Sequence, residues 1–269
     1  GTEGVQLEFL ANAPPDQLYD QSDFLALLEL RNRGNDDVAA NECFVQMTGM
    51  DPGIIRLPPS LSCGEMEGKN VYNVEGGFNQ VQFGPVPVIL PAGVYEYNPP
   101  LKATVCYNYR TTTNPQVCID PLFYQVSAEQ KACQVRDVSM GGGQGAPVGI
   151  NYVNVEMTGD KAIFEIDVAN FGTGRVLSRG VNIQECASRS IGLEDFDVVD
   201  YIVTLSGEGV AAGDCKPSGG RLRLHNNRGK IVCSFSLGRT AAYETPLQID
   251  FAYSYMDSIS KQIKIIQTP

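Results

Sequence analysis

Apolar and polar residues alternate along most of this chain, and one alternating stretch occurs twice. Residues 24–38 read FLALLELRNRGNDDV and residues 162–176 read AIFEIDVANFGTGRV. The first places Phe24, Ala26, Leu28 and Leu30 on one face; the second places Phe164, Ile166 and Val168 there. Each run ends in Asn-x-Gly (Asn32 and Gly34, then Asn170 and Gly172), with Val38 or Val176 four residues past the glycine. Period-two alternation marks a half-buried antiparallel strand, and Asn and Gly tolerate the positive φ of a turn.

The same order of elements surrounds both copies. Alternating segments at 5–10 and 148–155 predict a strand ahead of each. Near the end of each unit, LKATVCYNY (101–109) matches LQIDFAYSY (247–255), both led in by a Tyr-x-x-Pro segment. Each of these is expected to form a hairpin with the segment that follows, Gln116–Ile119 in one case and 259–266 in the other. Shorter strands are expected at 38–47, 181–186 and 198–205, with a hairpin of 222–224 and 231–235 around His225. Pro14, Pro15, Pro85 and Pro87 cannot donate to a ladder and so mark sheet edges. Only 127–132 suits a helix, and it is short. The expectation is an all-β protein of two tandem immunoglobulin-like β-sandwiches arising from an internal duplication, residues 1–125 and 126–269, each burying its own core.

Charge sharpens the division. The net charge is −11. Residues 1–125 hold 6 Lys+Arg against 15 Asp+Glu, so the first unit is the acidic one. Such a balance argues against a nucleic-acid partner, whose phosphates call for a basic surface. No run of 18 apolar residues occurs, so no transmembrane helix is expected. The chain opens on Gly1 without a leader, as a processed chain would, which permits an anchor removed upstream.

Eight cysteines stand at Cys43, Cys63, Cys106, Cys118, Cys133, Cys186, Cys215 and Cys233. None lies in a Cys-x-x-Cys pair, and one histidine cannot complete a zinc site with them. An even number at wide spacing favours disulfides and hence an extracytoplasmic, secreted or surface-anchored protein. The duplication suggests a pairing. Cys106 and Cys118 would sit on the two strands of one hairpin, and the second unit lacks both. Cys43–Cys63 and Cys186–Cys215 would repeat one bond in each unit, leaving Cys133–Cys233. Cys215–Cys233 with Cys133–Cys186 is the competing arrangement. All the preferred bonds stay within a unit.

The residues offer little chemistry. His225 lies in a polar turn, HNNRG, and no other histidine can serve a serine or cysteine nucleophile. The glycine run at 141–145 leads into a strand rather than a helix and has no lysine, so it reads as a bulge or hinge and not as a phosphate loop. Glu194, Asp195, Asp197 and Asp200 form the densest acidic cluster; as a metal site it would take Ca2+, although the spacing matches no EF-hand loop. Tyr107, Tyr109, Tyr253 and Tyr255 alternate on strands as packing residues, with a ligand-stacking face as the other reading. No cofactor other than Ca2+ is suggested.

With the motifs LELRNRGNDDV (28–38) and FEIDVANFGTGRV (164–176), the two terminal strands and GQGAP (143–147), the chain resembles tandem immunoglobulin-like domains of the CARDB-like and S-layer-associated kind from archaeal and other prokaryotic surface proteins. The resemblance implies a non-enzymatic structural or adhesive subunit of a cell-surface assembly, in an envelope or a filament, and transfers no site residue. Its partner would be protein, with self-assembly through strand edges at 5–10 or 259–266. The alternative is a binding module for carbohydrate or a divalent cation.

Overall fold

A computed structural model describes residues 1–125, 130–187 and 191–269. In chain order its strands are β1 (Val5–Phe9), β2 (Gln17–Tyr19), β3 (Asp23–Asn32), β4 (Cys43–Thr48), β5 (Leu61–Ser62), β6 (Phe78–Pro87), β7 (Glu96–Tyr97), β8 (Pro100–Thr113), β9 (Gln116–Ile119) and β10 (Val138–Ser139). The second half adds β11 (Val148–Thr158), β12 (Lys161–Asn170), β13 (Arg175–Leu177), β14 (Val198–Leu205), β15 (Asp214–Lys216), β16 (Arg221–Arg223), β17 (Arg228–Ser236), β18 (Tyr243–Gln262) and β19 (Lys264–Ile266). Among the described residues the one helical element is a single 3-10 turn, Leu193–Asp195. The expected boundary after residue 125 and half of the helix-compatible segment 127–132 fall on residues outside those described; residues 130–132 are not helical.

The all-β expectation holds, with the strands arranged as packed sheets. β8 and β18 run antiparallel at the centre of an eight-stranded sheet, ordered β16-β14-β18-β8-β4-β5, with β9 and β13 also joined to β18. The two matched segments thus pair with each other. Asn108 faces Ser254, Tyr107 faces Tyr255 and Tyr109 faces Tyr253, so corresponding residues trade places across the Asn108–Ser254 pair. On the tyrosine face of this sheet lie the sheet β1-β3-β6 of the first half and the sheet β10-β11-β12-β17-β15 of the second. The alternation predicted for the repeated motif is the burial observed: Phe24, Ala26, Leu28, Leu30, Phe164, Ile166 and Val168 are all fully buried.

Two expectations give way here. The first is that each unit buries its own core. A single apolar core runs from Phe24 and Leu28 through the central tyrosines to Phe164 and Ile166, because β8 and β18 form one continuous floor. The second is the pair of terminal hairpins. β8 has β18 along the whole of one edge and β4 along residues 102–107 of the other, and β9 joins neither edge. Instead β9 crosses to the second half and pairs with the start of β18, Tyr243 opposite Ile119. Reciprocally, 259–262 continues β18, and β19 crosses to the first half, where Ile265 lies opposite Tyr97. A parallel pairing with β2 encloses β19 on its other side. The halves therefore exchange their last strands.

The cystines follow this exchange rather than the expected pattern. Cys43–Cys63 forms as expected, and Cys215–Cys233 of the competing arrangement forms between facing residues of β15 and β17. The other two are Cys106–Cys186 and Cys118–Cys133. Cys106–Cys118, Cys186–Cys215, Cys133–Cys233 and Cys133–Cys186 are thus excluded. The reason is geometric. Cys106 points away from the tyrosine face, where the loop after β13 lies over it, packing Ile183 and Cys186 against Phe44 and Leu177. Cys118 travels with β9 into the other half. Both bonds link residues 1–125 to residues 126–269, so the bonds do not all stay within a unit.

Candidate functional site

The repeated Asn-x-Gly motif ends against the central tyrosines, and both copies do so in the same way. Tyr109 donates its hydroxyl to Asn32 Oδ1 (2.8 Å), which also accepts the Gly34 N–H (3.3 Å), while Asn32 Nδ2 donates to the Asp36 carbonyl (2.7 Å). Tyr255 donates to Asn170 Oδ1 (2.9 Å), which accepts the Gly172 N–H (3.1 Å), and Asn170 Nδ2 donates to the Gly174 carbonyl (3.0 Å). Neither Gly34 nor Gly172 has a positive φ. The glycines serve close approach instead: a Cβ on Gly34 would collide with the Tyr109 hydroxyl, and one on Gly172 with that of Tyr255. The turn reading of the motif was right in place and wrong in mechanism.

The remaining two tyrosines are held alike. The Tyr107 hydroxyl meets the backbone N–H of Val5, and Tyr253 shares a hydrogen bond with Thr111 Oγ1 (2.9 Å) while accepting the Val148 N–H (3.4 Å). Burial pushes all four phenols well above their ordinary range, so they remain neutral hydrogen-bonding groups. The rings pack edge-on or tilted, with centroids 5.3 Å apart for Tyr107 and Tyr109 and 5.9 Å for Tyr107 and Tyr255. Since at most 2% of each residue is exposed, none offers a ligand-stacking face.

The acidic cluster does not converge on a point. Glu194 and Asp195 occupy the 3-10 turn, where Arg223 binds the carbonyls of Leu193, Glu194 and Phe196. Asp197 turns the other way, with φ at 59°, and pairs with Arg175 (3.3 Å). Asp200 lies on β14 and pairs with Arg221 (3.5 Å). Two of the four carboxylates are thus spent on separate guanidiniums. Among the described residues no three carboxylate, histidine or cysteine side chains, those of Glu194, Asp195, Asp197 and Asp200 included, come together as metal ligands.

What Asp197 does line is an open polar basin of about 500 Å³, shared with Thr173, Arg175, Asn226, Asn227 and Asp257. The Arg175 guanidinium lies 4.0 Å from the centre of the Phe196 ring, and Thr173 donates to Asp257 (2.6 Å). Asn226 and Asn227, both at positive φ, form the two-residue turn between His225 and Arg228. His225 is therefore a turn residue, as expected. Sequence reading missed the basin because its residues come from segments far apart in the chain, brought together only by the packing of β12, β17 and β18.

The glycine run also has a definite task. Gly141, Gly142, Gly143 and Gly145 all adopt positive φ, and their turn sends β10 back along β11, pairing Val138 with Val153. A phosphate site needs no invoking.

The candidate assembly edges resolve differently from one another. β19, at the end of the 259–266 segment, is enclosed between β2 and β7 and offers no edge. β5, β10, β15 and β16 are edge strands of only two or three residues, and β6 carries Pro85 and Pro87. β1 is longer than the first four, five residues paired on one side with β3.

No family model and no curated protein matches the chain. Among solved structures it is similar to the secreted serine protease VesC from Vibrio cholerae, at 10% identity and a TM-score of 0.21. That match covers 96% of this chain and 51% of the protease chain, so the chain spans about half the protease's length. A likeness of that degree carries no argument about fold or chemistry.

Proposed function

We propose that this protein is a non-catalytic, extracytoplasmic structural or adhesive subunit of a cell-surface assembly, built from two tandem immunoglobulin-like units that arose by internal duplication and akin to CARDB-like and S-layer-associated modules. The observation that carries this reading is the double bracing of the halves by exchanged strands and by the cystines Cys106–Cys186 and Cys118–Cys133. Such bracing suits a rigid spacer and works against the hinged cleft of many enzymes. The matching hydrogen bonds at Asn32 and Asn170 support the duplication, and eight cysteines bonded in four pairs support an oxidising compartment. Immunogold labelling of intact cells, with electron microscopy of the purified protein, tests the proposal. Surface label and ordered assemblies are expected; label confined to the cytoplasm would refute it.

A second reading rests on the basin around Asp197. Its carboxylates, amides and guanidinium suit the hydroxyls of a sugar. Glycan-array binding abolished by Asp257→Ala would favour it; an empty array would dispose of it.

A further inference from the structure

The two halves treat one equivalent edge differently. Val5 of β1 faces Asn32 of β3 just as Val148 of β11 faces Asn170 of β12. In the second half the chain then closes the outer edge of β11 itself. Asp137 Oδ1 accepts the Val155 N–H (2.9 Å), Val138 and Ser139 pair with Val153 and Tyr152, Met140 donates to the Asn151 carbonyl (2.8 Å), and Gln144 binds the N–H of Ile150 (2.7 Å). In the first half β1 has no such neighbour among the described residues. Arg33 donates to the Gly4 carbonyl and Leu27 accepts from Leu10 (both 2.9 Å), so even-numbered residues face β3. The backbone groups of Leu7 and Phe9 therefore point outward. Burial records the same difference. Ile150 and Val153 of β11 are wholly buried, whereas Leu7 and Phe9, at the corresponding places in β1, are half-exposed.

We infer that β1 pairs antiparallel with β1 of a second copy of this chain, about a two-fold axis at Leu7. The inference rests on the structural-subunit reading and specifies its contact. The strand is complementary to itself in this register. Leu7 faces Leu7, Val5 faces Phe9, and on the outer face Gln6 stands opposite Glu8 twice, so no like charges oppose each other. Sliding the partner by two residues in one direction would set Glu8 directly against Glu8, which is unfavourable, and in the other direction would carry Phe9 beyond the end of the pairing. The Tyr107 hydroxyl lies beside Gly4 and the Val5 N–H. The new ladder would accordingly join Leu7 to Leu7 and each Phe9 N–H to the Val5 carbonyl of the second copy. Antiparallel closure is also how β10 meets β11. The product is a continuous sheet across two molecules, an isologous contact that closes on itself.

Sedimentation velocity over a concentration series, with amide exchange resolved at Leu7 and Phe9, tests this on the full chain. A two-copy particle is expected, with both amides protected only in it. Gln6→Glu places glutamates opposite one another at two points and should weaken the dimer about tenfold. Within its own sheet the new carboxylate faces Arg31 and gives up only an exposed hydrogen bond to Glu3 (2.6 Å), so the fold is retained. Adding Glu8→Lys should restore the dimer. As a check on register, a mixture of Gln6→Cys and Glu8→Cys proteins should crosslink, and neither alone should. A single-copy particle at every concentration would overturn the inference. So would a dimer indifferent to Gln6→Glu, or Leu7 and Phe9 amides protected in a single-copy particle, which would mean that some other strand fills the edge. A protein that reaches the cell surface and assembles by another contact would leave the proposed function standing without this one.

Discussion

Asn32→Ala offers the sharpest test of how the fold is held. Asn32 is wholly buried and takes part in four hydrogen bonds, from Tyr109 and Gly34 to its Oδ1 and from its Nδ2 to the carbonyls of Asp36 and Met66. Each such bond contributes about 1 kcal/mol net, and the Tyr109 hydroxyl left without an acceptor adds roughly 1 kcal/mol more. The variant should therefore lose about 5 kcal/mol, corresponding to a fall in Tm on the order of 10 °C for a chain of this size. Tyr109→Phe alone should cost about 1.5 kcal/mol. Because it removes the same bond, the double variant should fall short of additivity by about 1 kcal/mol. Asn170→Ala should cost less than Asn32→Ala, since Asn170 is only half-buried. Calorimetry under non-reducing conditions supplies the assay. With one core and exchanged strands, each variant should shift one transition of the whole chain. Strict additivity, or a separate early transition of the first half, would refute the reasoning.

Other outcomes follow from the same geometry. Gly34→Ala should cost about 3 kcal/mol in urea titration, because its Cβ would strike the backbone carbonyls of Glu3 and Gly145 as well as Tyr109. Gly172→Ala should cost less, since only the side chains of Tyr255 and Pro147 stand in the way. A peptide map without reduction should recover Cys106 with Cys186 and Cys118 with Cys133. Asp36, which accepts the Arg110 N–H (2.9 Å), has its pKa raised by burial above the unfolded value near 3.8. Its ionisation as pH rises through that range removes stability. Asp36→Asn keeps an acceptor and should raise Tm at pH 7, with the gain vanishing as pH falls through 3.8; an equal gain at pH 3 would count against burial as the cause.

Local pattern made the strands legible. Alternation located β1, β3, β8, β12, β14 and β18, and the matched segments identified which residues correspond. It could not reveal partners. That β8 pairs with β18, and β9 with the start of β18, is a fact about the assembled sheet that no window of sequence contains. The cystine errors descend from the same source: once a hairpin of β8 and β9 was assumed, Cys106–Cys118 followed. The motif glycines were misread because positive φ and close approach both select glycine, and only the Tyr109 and Tyr255 hydroxyls distinguish them. The acidic cluster misled because proximity in sequence ignores that Asp197 and Asp200 lie against different arginines.

The reciprocal placement of β9 and β19 has a further consequence for how such a chain could have begun. A molecule consisting of the first unit alone would lack β18, and with it the strand that both β8 and β9 join. It could complete itself by lending Gln116–Ile119 to a neighbour and borrowing the same strand back, which is a domain-swapped homodimer. Joining two such units in tandem makes the loan internal, so that completion no longer depends on meeting a second molecule. On this view the linker between the units replaced an encounter, and Cys118–Cys133 and Cys106–Cys186 made the arrangement permanent.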